Sequence, residues 1–566
     1  IATINQNTTY TAVFKKKEIP PAPAISYDYK PYFKDYNNKF DIAINGVTNG
    51  KVVVFTSNSK LADSLWGSCF GQSVSTDMAK TETASDGYKI TLTAPNNGSF
   101  DFTKQCTLMY DTKSATVLAG SGTPATNIMV TSMTVDGQNA PIYQACASTG
   151  CKDPGNGYVN AGYYAQWAVW GRQYNPNNMP FDSINDIIYA FIGFDPATGN
   201  LKTLDGAADS WGLAATTKAV LSHPYMKAHL SFGGWTNNGV NTAPMFQKLS
   251  SSPAAMQTFA EQAVALMKKN KFTGLDIDWE WWSDYSNSQA PAKQMLSFYK
   301  VLHAELDKAS KADGKKYTLA IAVNGGVSRI DAMQDTAGNP NAVANFWSQV
   351  NGLVDQINLM TYDYHGADDQ DAAYFHANYD FSNVPTEKQV AVGQPYGWSV
   401  KASVAAYQKY GVAAKKLVVG LPIYARTMEV SNSTDGGLLQ PIKGAGFGDY
   451  ENGVLDYKCL INPTSDAVNG CGVNVAPSDI VFYDANATGD KLASFNKYGR
   501  DAMQPWGYSP STKTFVTFDD VWSVRAKTQK VIDGKLGGTM FWELDGDSTN
   551  ANKSLVKAVA NKYSGS

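Results

Sequence analysis

The chain has 566 residues, 43% of them hydrophobic and 17% charged, a composition that excludes extended disorder and allows a sizeable core. A chain this long exceeds the size at which a single core usually stops growing, so two or three units are expected. Its 47 Lys and Arg against 50 Asp and Glu leave a formal net charge of −3, which gives no electrostatic footprint for nucleic acid or an anionic membrane and suits a neutral substrate.

No apolar run approaches the ~20 residues of a membrane-spanning helix. The sequence opens at Ile1 without an initiator Met or a basic-then-apolar signal pattern, so either a leader has been removed or the sequence begins downstream. Residues 1 to about 150 contain short β-type runs at Phe40–Ile44, Lys51–Thr56, Tyr88–Leu92 and Ile128–Val135, broken by Gly, Asn, Ser and Pro clusters; they suggest an all-β sandwich. Pro20–Pro23 reads as a stiff connector and Lys152–Asn160 as a loop between domains. The six Cys fall as near neighbours, Cys69 with Cys106, Cys146 with Cys151 and Cys459 with Cys471. Local disulfides and an oxidising compartment are the preferred reading, with free buried thiols as the alternative.

From residue 158 the texture changes to strand, loop, helix, strand. Eight apolar strand candidates follow, at 162–167, 186–194, 228–235, 272–281, 317–325, 355–364, 416–426 and 537–545. Helical periodicity lies between several of them, clearest at Ala255–Asn270 and Pro291–Ala312. Alternating strands and helices imply a parallel sheet, and eight repeats imply an α/β fold of the closed (β/α)8 TIM barrel type, with chemistry at the strands' C-terminal ends. About 110 residues separate the last two strands, so 427–518 is read as a small α+β insertion beside the site. The domains expected are thus 1–155 (β-sandwich-like), 156–426 (first part of the barrel), 427–518 (insertion) and 519–566 (final part of the barrel). Gly444–Gly448 (GAGFG) lacks the strand, helix and Lys of a phosphate loop and is read as a turn.

The most informative stretch is Phe272–Trp282, FTGLDIDWEWW, where Asp276, Asp278 and Glu280 stand two residues apart. On a strand, that period points all three carboxyl groups the same way. Acids crowded on a buried face repel one another and resist desolvation, an arrangement that marks a proton-handling site. An exposed acidic edge fits poorly, because Leu275, Ile277 and Trp279 make the other face apolar.

With TGLDIDWE in place of the motif DGxDxDxE, the chain resembles the family 18 glycoside hydrolases, and among them the bacterial chitinases of the A type. The resemblance also rests on SFGG (Ser231–Gly234), YAQWAVWGR (Tyr164–Arg172), MTYD (Met360–Asp363), PIYAR (Pro422–Arg426) and MFWELD (Met540–Asp545). It implies a chitinase that hydrolyses β-1,4-linked N-acetylglucosamine polymers, secreted and without a cofactor or metal. The substrate's own acetamido group acts as nucleophile and configuration is retained. By the same resemblance Glu280 is the acid and base, Asp278 holds the acetamido N–H, Asp276 shares a proton with Asp278, and Tyr362 donates to the acetamido carbonyl. Met360, Asp363, Tyr424 and Arg426 bind neighbouring substrate groups; Trp542 forms the floor, and Trp167, Trp170 and Trp235 extend the platform.

Two departures stand out: Thr273 replaces the motif's first acid, and Asp368 stands where an aromatic is common on the leaving-group side. His229 and His365 are read as structural rather than catalytic, and Trp281 and Trp282 as equally core or platform. The alternatives carried are an endo-β-N-acetylglucosaminidase acting on glycoprotein glycans, and a chitin-binding scaffold subunit of a larger assembly. Lectin-type relatives usually lack the final acid, which this chain keeps. A partner protein bound through the N-terminal β region is a further expectation; nucleic acid and membrane are not expected as partners.

Overall fold

A computed structural model describes residues 39–44, 47–65, 67–84, 87–111, 130–140, 152–281, 290–368, 372–461, 470–471 and 476–566. The Pro20–Pro23 connector, Cys146, Cys151 and Trp282 lie outside them. Among the described residues before 140 run two larger antiparallel sheets and a two-stranded pair of Asn49–Gly50 with Phe100–Asp101. Of the larger two, one orders Lys39–Ile42, Cys106–Met109, Ser68–Cys69 and Gln72–Ser73; the other orders Gln138–Asn139, Val130–Val135, Val52–Ser57, Gly87–Thr93 and Ala79–Ala84. Val52–Ser57 alternates between partly buried and buried residues, so Val53 and Phe55 join Ile90, Leu92 and Met133 in one core, as expected of a sandwich. Cys69 and Cys106 are cross-strand partners joined by a disulfide, and Cys459 is joined to Cys471.

The remainder is built on a closed barrel of eight strands. These are β1 (Val159–Ala165), β2 (Asp186–Ala190), β3 (Lys227–Gly233), β4 (Gly274–Asp278), β5 (Thr318–Asn324), β6 (Gln356–Met360), β7 (Leu417–Pro422) and β8 (Gly538–Trp542). Every neighbouring pair is parallel, and β8 closes on β1 through Val159 and Gly538. Strands covered on both faces read as continuous apolar runs, and in β2 and β4 every residue is buried. The helices Pro253–Lys269 and Ala292–Asp313 bury Phe259 and Phe298 against each other, ring centroids 5.3 Å apart, outside β3 and β4. Ser252 caps the first of these helices, its hydroxyl accepting from the Ala255 amide, with Pro253 in the first turn where no N–H is needed.

The strand expected over 416–426 divides in two. Leu417–Pro422 stays in the barrel, while Tyr424–Val430 leaves it and pairs antiparallel with Thr514–Thr517. Between them the Ile423 amide still bonds Trp542 O of β8, and its carbonyl accepts from the Tyr457 amide of the insertion. A continuous apolar run carries no mark of that change of sheet. The inserted sheet orders Ile442–Ala445, Tyr424–Val430, Thr514–Thr517, Trp506–Ser509 and Val481–Tyr483, with Val454–Asp456 pairing Tyr424–Arg426. The first part of GAGFG is strand rather than turn, because Gly444 and Ala445 pair with Glu429 and Met428.

Candidate active site

The acid row lies where β4 ends. Asp276 and Asp278 are on the strand and buried; Glu280 is two residues past it and partly buried, so the three acids are not all within the ladder as the period suggested. The ladder stops at the SFGG segment of β3. The Gly234 amide bonds Asp278 O at 2.9 Å, and a Cβ on Gly233, whose φ is 117°, would lie 2.0 Å from that same oxygen. Only glycine permits that approach.

Three strands supply hydrogen bonds to Asp276. Ser231 Oγ of β3 donates to Oδ2 at 2.7 Å, Tyr163 OH of β1 donates to Oδ2 at 3.1 Å, and Asn358 Nδ2 of β6 donates to Oδ1 at 3.4 Å. Burial pushes this carboxyl up to about 6 against those bonds. Below it runs a polar column: Asn358 accepts from Gln356 Nε2 at 3.0 Å, Gln356 reaches Asp186 at 3.3 Å, and His229 lies between Asp186 (2.8 Å) and Thr318 (2.9 Å). His229 is therefore a structural member of the barrel interior.

Asp278 Oδ1 has no partner among the described residues, and burial, then Glu280, then Asp276, hold its carboxyl well above the usual range. Glu280 is pushed up to about 8 by burial and by the charge of Asp363. A carboxyl that keeps its proton near neutrality, next to acids that compete for one, is equipped for general acid work.

An aromatic cluster forms at the end of β8. Trp542 lies 5.3 Å from Tyr163, 5.9 Å from Phe191 and 6.2 Å from Trp167 by ring centroids, and Met360 and Tyr362 pack on the same cluster. Tyr362 reaches 4.0 Å from Met540 Sδ, and burial, then Asp278, hold its phenol well above its ordinary value. Tyr362 also meets Tyr424, 6.2 Å away. Arg426 Nε donates to Asp363 Oδ1 at 2.7 Å, and despite burial this partner holds Asp363 well below the usual carboxylate range.

Other expected members stand apart. Trp170 turns to Trp211, 5.5 Å away, and donates Nε1–H to Asp205 Oδ2 at 2.8 Å, under the helix Gly206–Ser222. Trp235 is 48% exposed beside the hairpin of Thr236–Asn237 and Val240–Asn241. Trp281 is buried in the main core. His365 Nε2 bonds Val392 O at 3.1 Å, and Asp368 is exposed.

Several residues at the site were not singled out from the sequence: Tyr163, Phe191, Asn358 and His376. Ser231 stands on β3 directly beside β4, whereas Tyr163 on β1 and Asn358 on β6 meet Asp276 only across the interior of the closed barrel. The charged group around Arg172 had no local signal. Its Nε lies 2.9 Å from Asp545 and 3.1 Å from Asp456, its Nη2 is 3.7 Å from Glu543, and it stacks 4.4 Å from the Tyr450 ring. Asp449, Asp456 and Cys459 come close enough to suggest a metal ligand set, but the Cys459 sulfur is bound to Cys471 and offers no thiolate.

The family model described as glycosyl hydrolases family 18 matches residues 159–547. The chain belongs to glycosyl hydrolase family 18. The family 18 match begins at the first residue of β1 and runs past the end of β8, so it takes in the inserted sheet as well as the barrel. Among curated proteins, the chain is 29% identical to "Chitinase 1" of Aphanocladium album and 28% identical to "Endochitinase 1" of Metarhizium anisopliae, each over 72% of this chain and 86% of the relative. Among solved structures, the Group IV chitinase of Ostrinia furnacalis shares the fold with a TM-score of 0.57 and 22% identity, covering 72% of this chain and all (100%) of that one. As a family 18 member the chain is a glycoside hydrolase.

Proposed function

We propose that this protein is a chitinase, cleaving β-1,4-linked N-acetylglucosamine chains with retention of configuration. One observation carries the mechanism: Glu280, whose carboxyl holds its proton up to about 8, stands at the open end of a buried acid pair. In this reading Glu280 protonates the glycosidic oxygen while the carbonyl oxygen of the substrate's 2-acetamido group attacks the anomeric carbon, giving an oxazolinium ion and releasing the departing sugar. Asp278, its Oδ1 unpartnered, accepts the acetamido N–H, and Asp276, fixed by Ser231, Tyr163 and Asn358, takes up the shared proton. Tyr362 donates to the acetamido carbonyl, and the Trp542 ring supports the C–H face of the sugar. Water activated by Glu280 then opens the oxazolinium ion and restores the acid.

Met360, Trp167, Asp363, Tyr424 and Arg426 line the same opening in this reading, and Trp235 extends it outward. The names of the similar proteins favour chitin over a glycoprotein glycan. We further infer a secreted setting, supported by the disulfides Cys69–Cys106 and Cys459–Cys471 among the described residues, and an accessory role for the N-terminal sheets as a surface for a partner protein. Timed product profiling on N-acetylglucosamine oligomers and on a high-mannose glycoprotein tests the assignment. Oligomer cleavage with the β anomer formed first is expected. An initial α product overturns the retaining mechanism, and cleavage of the glycoprotein alone overturns the choice of substrate.

A further inference from the structure

We propose that His376 is a positioning residue for Asp363 and, through Asp363, for the acid Glu280. The inference rests on the functional reading above. It begins from the backbone: Asp363 follows β6 with φ 58°, a left-handed conformation that costs a non-glycine residue on the order of 1 kcal/mol. Arg426 holds its carboxylate from one side. His376 flanks it on the other, Nδ1 lying 3.7 Å from Oδ1.

His376 is fully buried, and neither ring nitrogen has a hydrogen-bond partner among the described residues. Nδ1 lies 3.7 Å from Asp363 Oδ1, and the ring centroid is 5.3 Å from that of Tyr424. Leaving an imidazole buried without hydrogen bonds is costly, and a group so placed calls for an explanation. Burial also pushes the imidazole below its ordinary range, which favours the uncharged ring beside Asp363. The main chain of His376 restrains the same place, since its carbonyl accepts from the Tyr364 amide at 3.0 Å, one residue past Asp363.

These contacts close a circuit. The His376 amide donates to Thr517 Oγ1 at 3.2 Å; Thr517 is the cross-strand partner of Arg426; and Arg426 binds Asp363. The inserted sheet and the loop after β6 thus fix one carboxylate from both sides. The position of Asp363 matters because its charge helps hold the Glu280 proton. The charged and titratable groups facing Glu280 are Asp278 on β4, with Tyr362 and Asp363 after β6; those facing His376 are Asp363, Tyr424, Arg426 and Asp519.

The test replaces His376 by Leu and by Asn, in the wild-type and Asp363→Asn backgrounds, with the N-acetylglucosamine hexamer, whose departing sugar needs the Glu280 proton. His376→Leu is expected to lower kcat about tenfold with KM within about twofold and to displace the basic limb of the pH profile. His376→Asn, whose amide can stand in for Nδ1–H, is expected to recover most of that loss. In the Asp363→Asn background the Leu replacement should cost less than about twofold, the mark of residues acting as one unit. An equal loss in both backgrounds, or an Asn variant as impaired as Leu, overturns the proposal. If the Leu variant fails to fold, His376→Ala takes its place with the same readouts: a displaced basic limb that disappears with Asp363→Asn supports the proposal, and an unchanged profile overturns it. Wild-type cleavage measured alongside separates failure of this inference from failure of the chitinase assignment.

Discussion

Ser231 Oγ donates to Asp276 Oδ2 across the β3–β4 ladder at 2.7 Å, and of the influences opposing burial of that carboxyl it is the largest. Removing the hydroxyl in Ser231→Ala leaves Asp276 drawn further toward its protonated form, which in the proposed mechanism misplaces the proton it shares with Asp278 before the substrate arrives. A fall in kcat of about tenfold is expected, the worth of a hydrogen bond to a charged group, with little change in KM. Unaltered kcat on the N-acetylglucosamine hexamer would separate Asp276 from the catalytic step.

Glu280→Gln keeps the shape of the side chain and removes its proton traffic. Turnover should fall by about 10³-fold or more, as for loss of a general acid, while calorimetry finds oligomer affinity within a few-fold of wild type. Substantial residual turnover would refute the role given to Glu280.

The pH profile follows from the same group. Glu280 must be protonated to act, and its proton is held up to about 8, so kcat/KM should stay level through neutrality and decline as pH rises through that value. A basic limb near pH 5 would contradict this environment for the acid.

Stability should show the matching sign. The folded-state value of Glu280 lies above its ordinary 4.5, so the folded protein binds the proton more tightly, and the stability this brings is complete below about 4.5 and lost as pH rises through about 8. Glu280→Gln removes that loss. Its melting temperature relative to wild type should therefore rise between pH 5 and pH 9, and a constant difference in scanning calorimetry would show that the acid is not strained by burial.

The Cys459–Cys471 bridge closes a segment of sequence separation 12 beside the inserted sheet. Opening it with a Cys459→Ala, Cys471→Ala pair should cost roughly 3 kcal/mol by loop entropy. Thermal unfolding of the double variant checks this, and the loss should fall on the insertion's unfolding step if that step is resolved from the barrel's.

The sequence revealed the parts of the site that a single strand carries. The spacing of Asp276, Asp278 and Glu280 is a local period, and Trp542 stands at the end of a recognisable strand. Contacts made by distant segments were hidden. Asp363 meets Arg426 across 63 positions, and Arg172 gathers Asp456, Glu543 and Asp545 from the far end of the chain. Trp167 and Trp170 belong to one short turn, yet one joins the Trp542 cluster and the other faces Trp211; an indole's size and apolarity say nothing of which side it will take. The sheet change at Ile423 was equally silent, because both sheets want the same β-branched and aromatic residues.

That crossing has a practical outcome for protein engineering. Tyr424 and Arg426 open the inserted sheet only a few positions after Pro422 ends β7, so the excursion from the barrel carries residues assigned to the groove in the proposed function. Trimming it down to a minimal cylinder would strip away residues that touch Tyr362 and Asp363, and a cassette borrowed from a relative would import that relative's contacts. Chimeras exchanged at this joint should inherit sugar preference with the cassette.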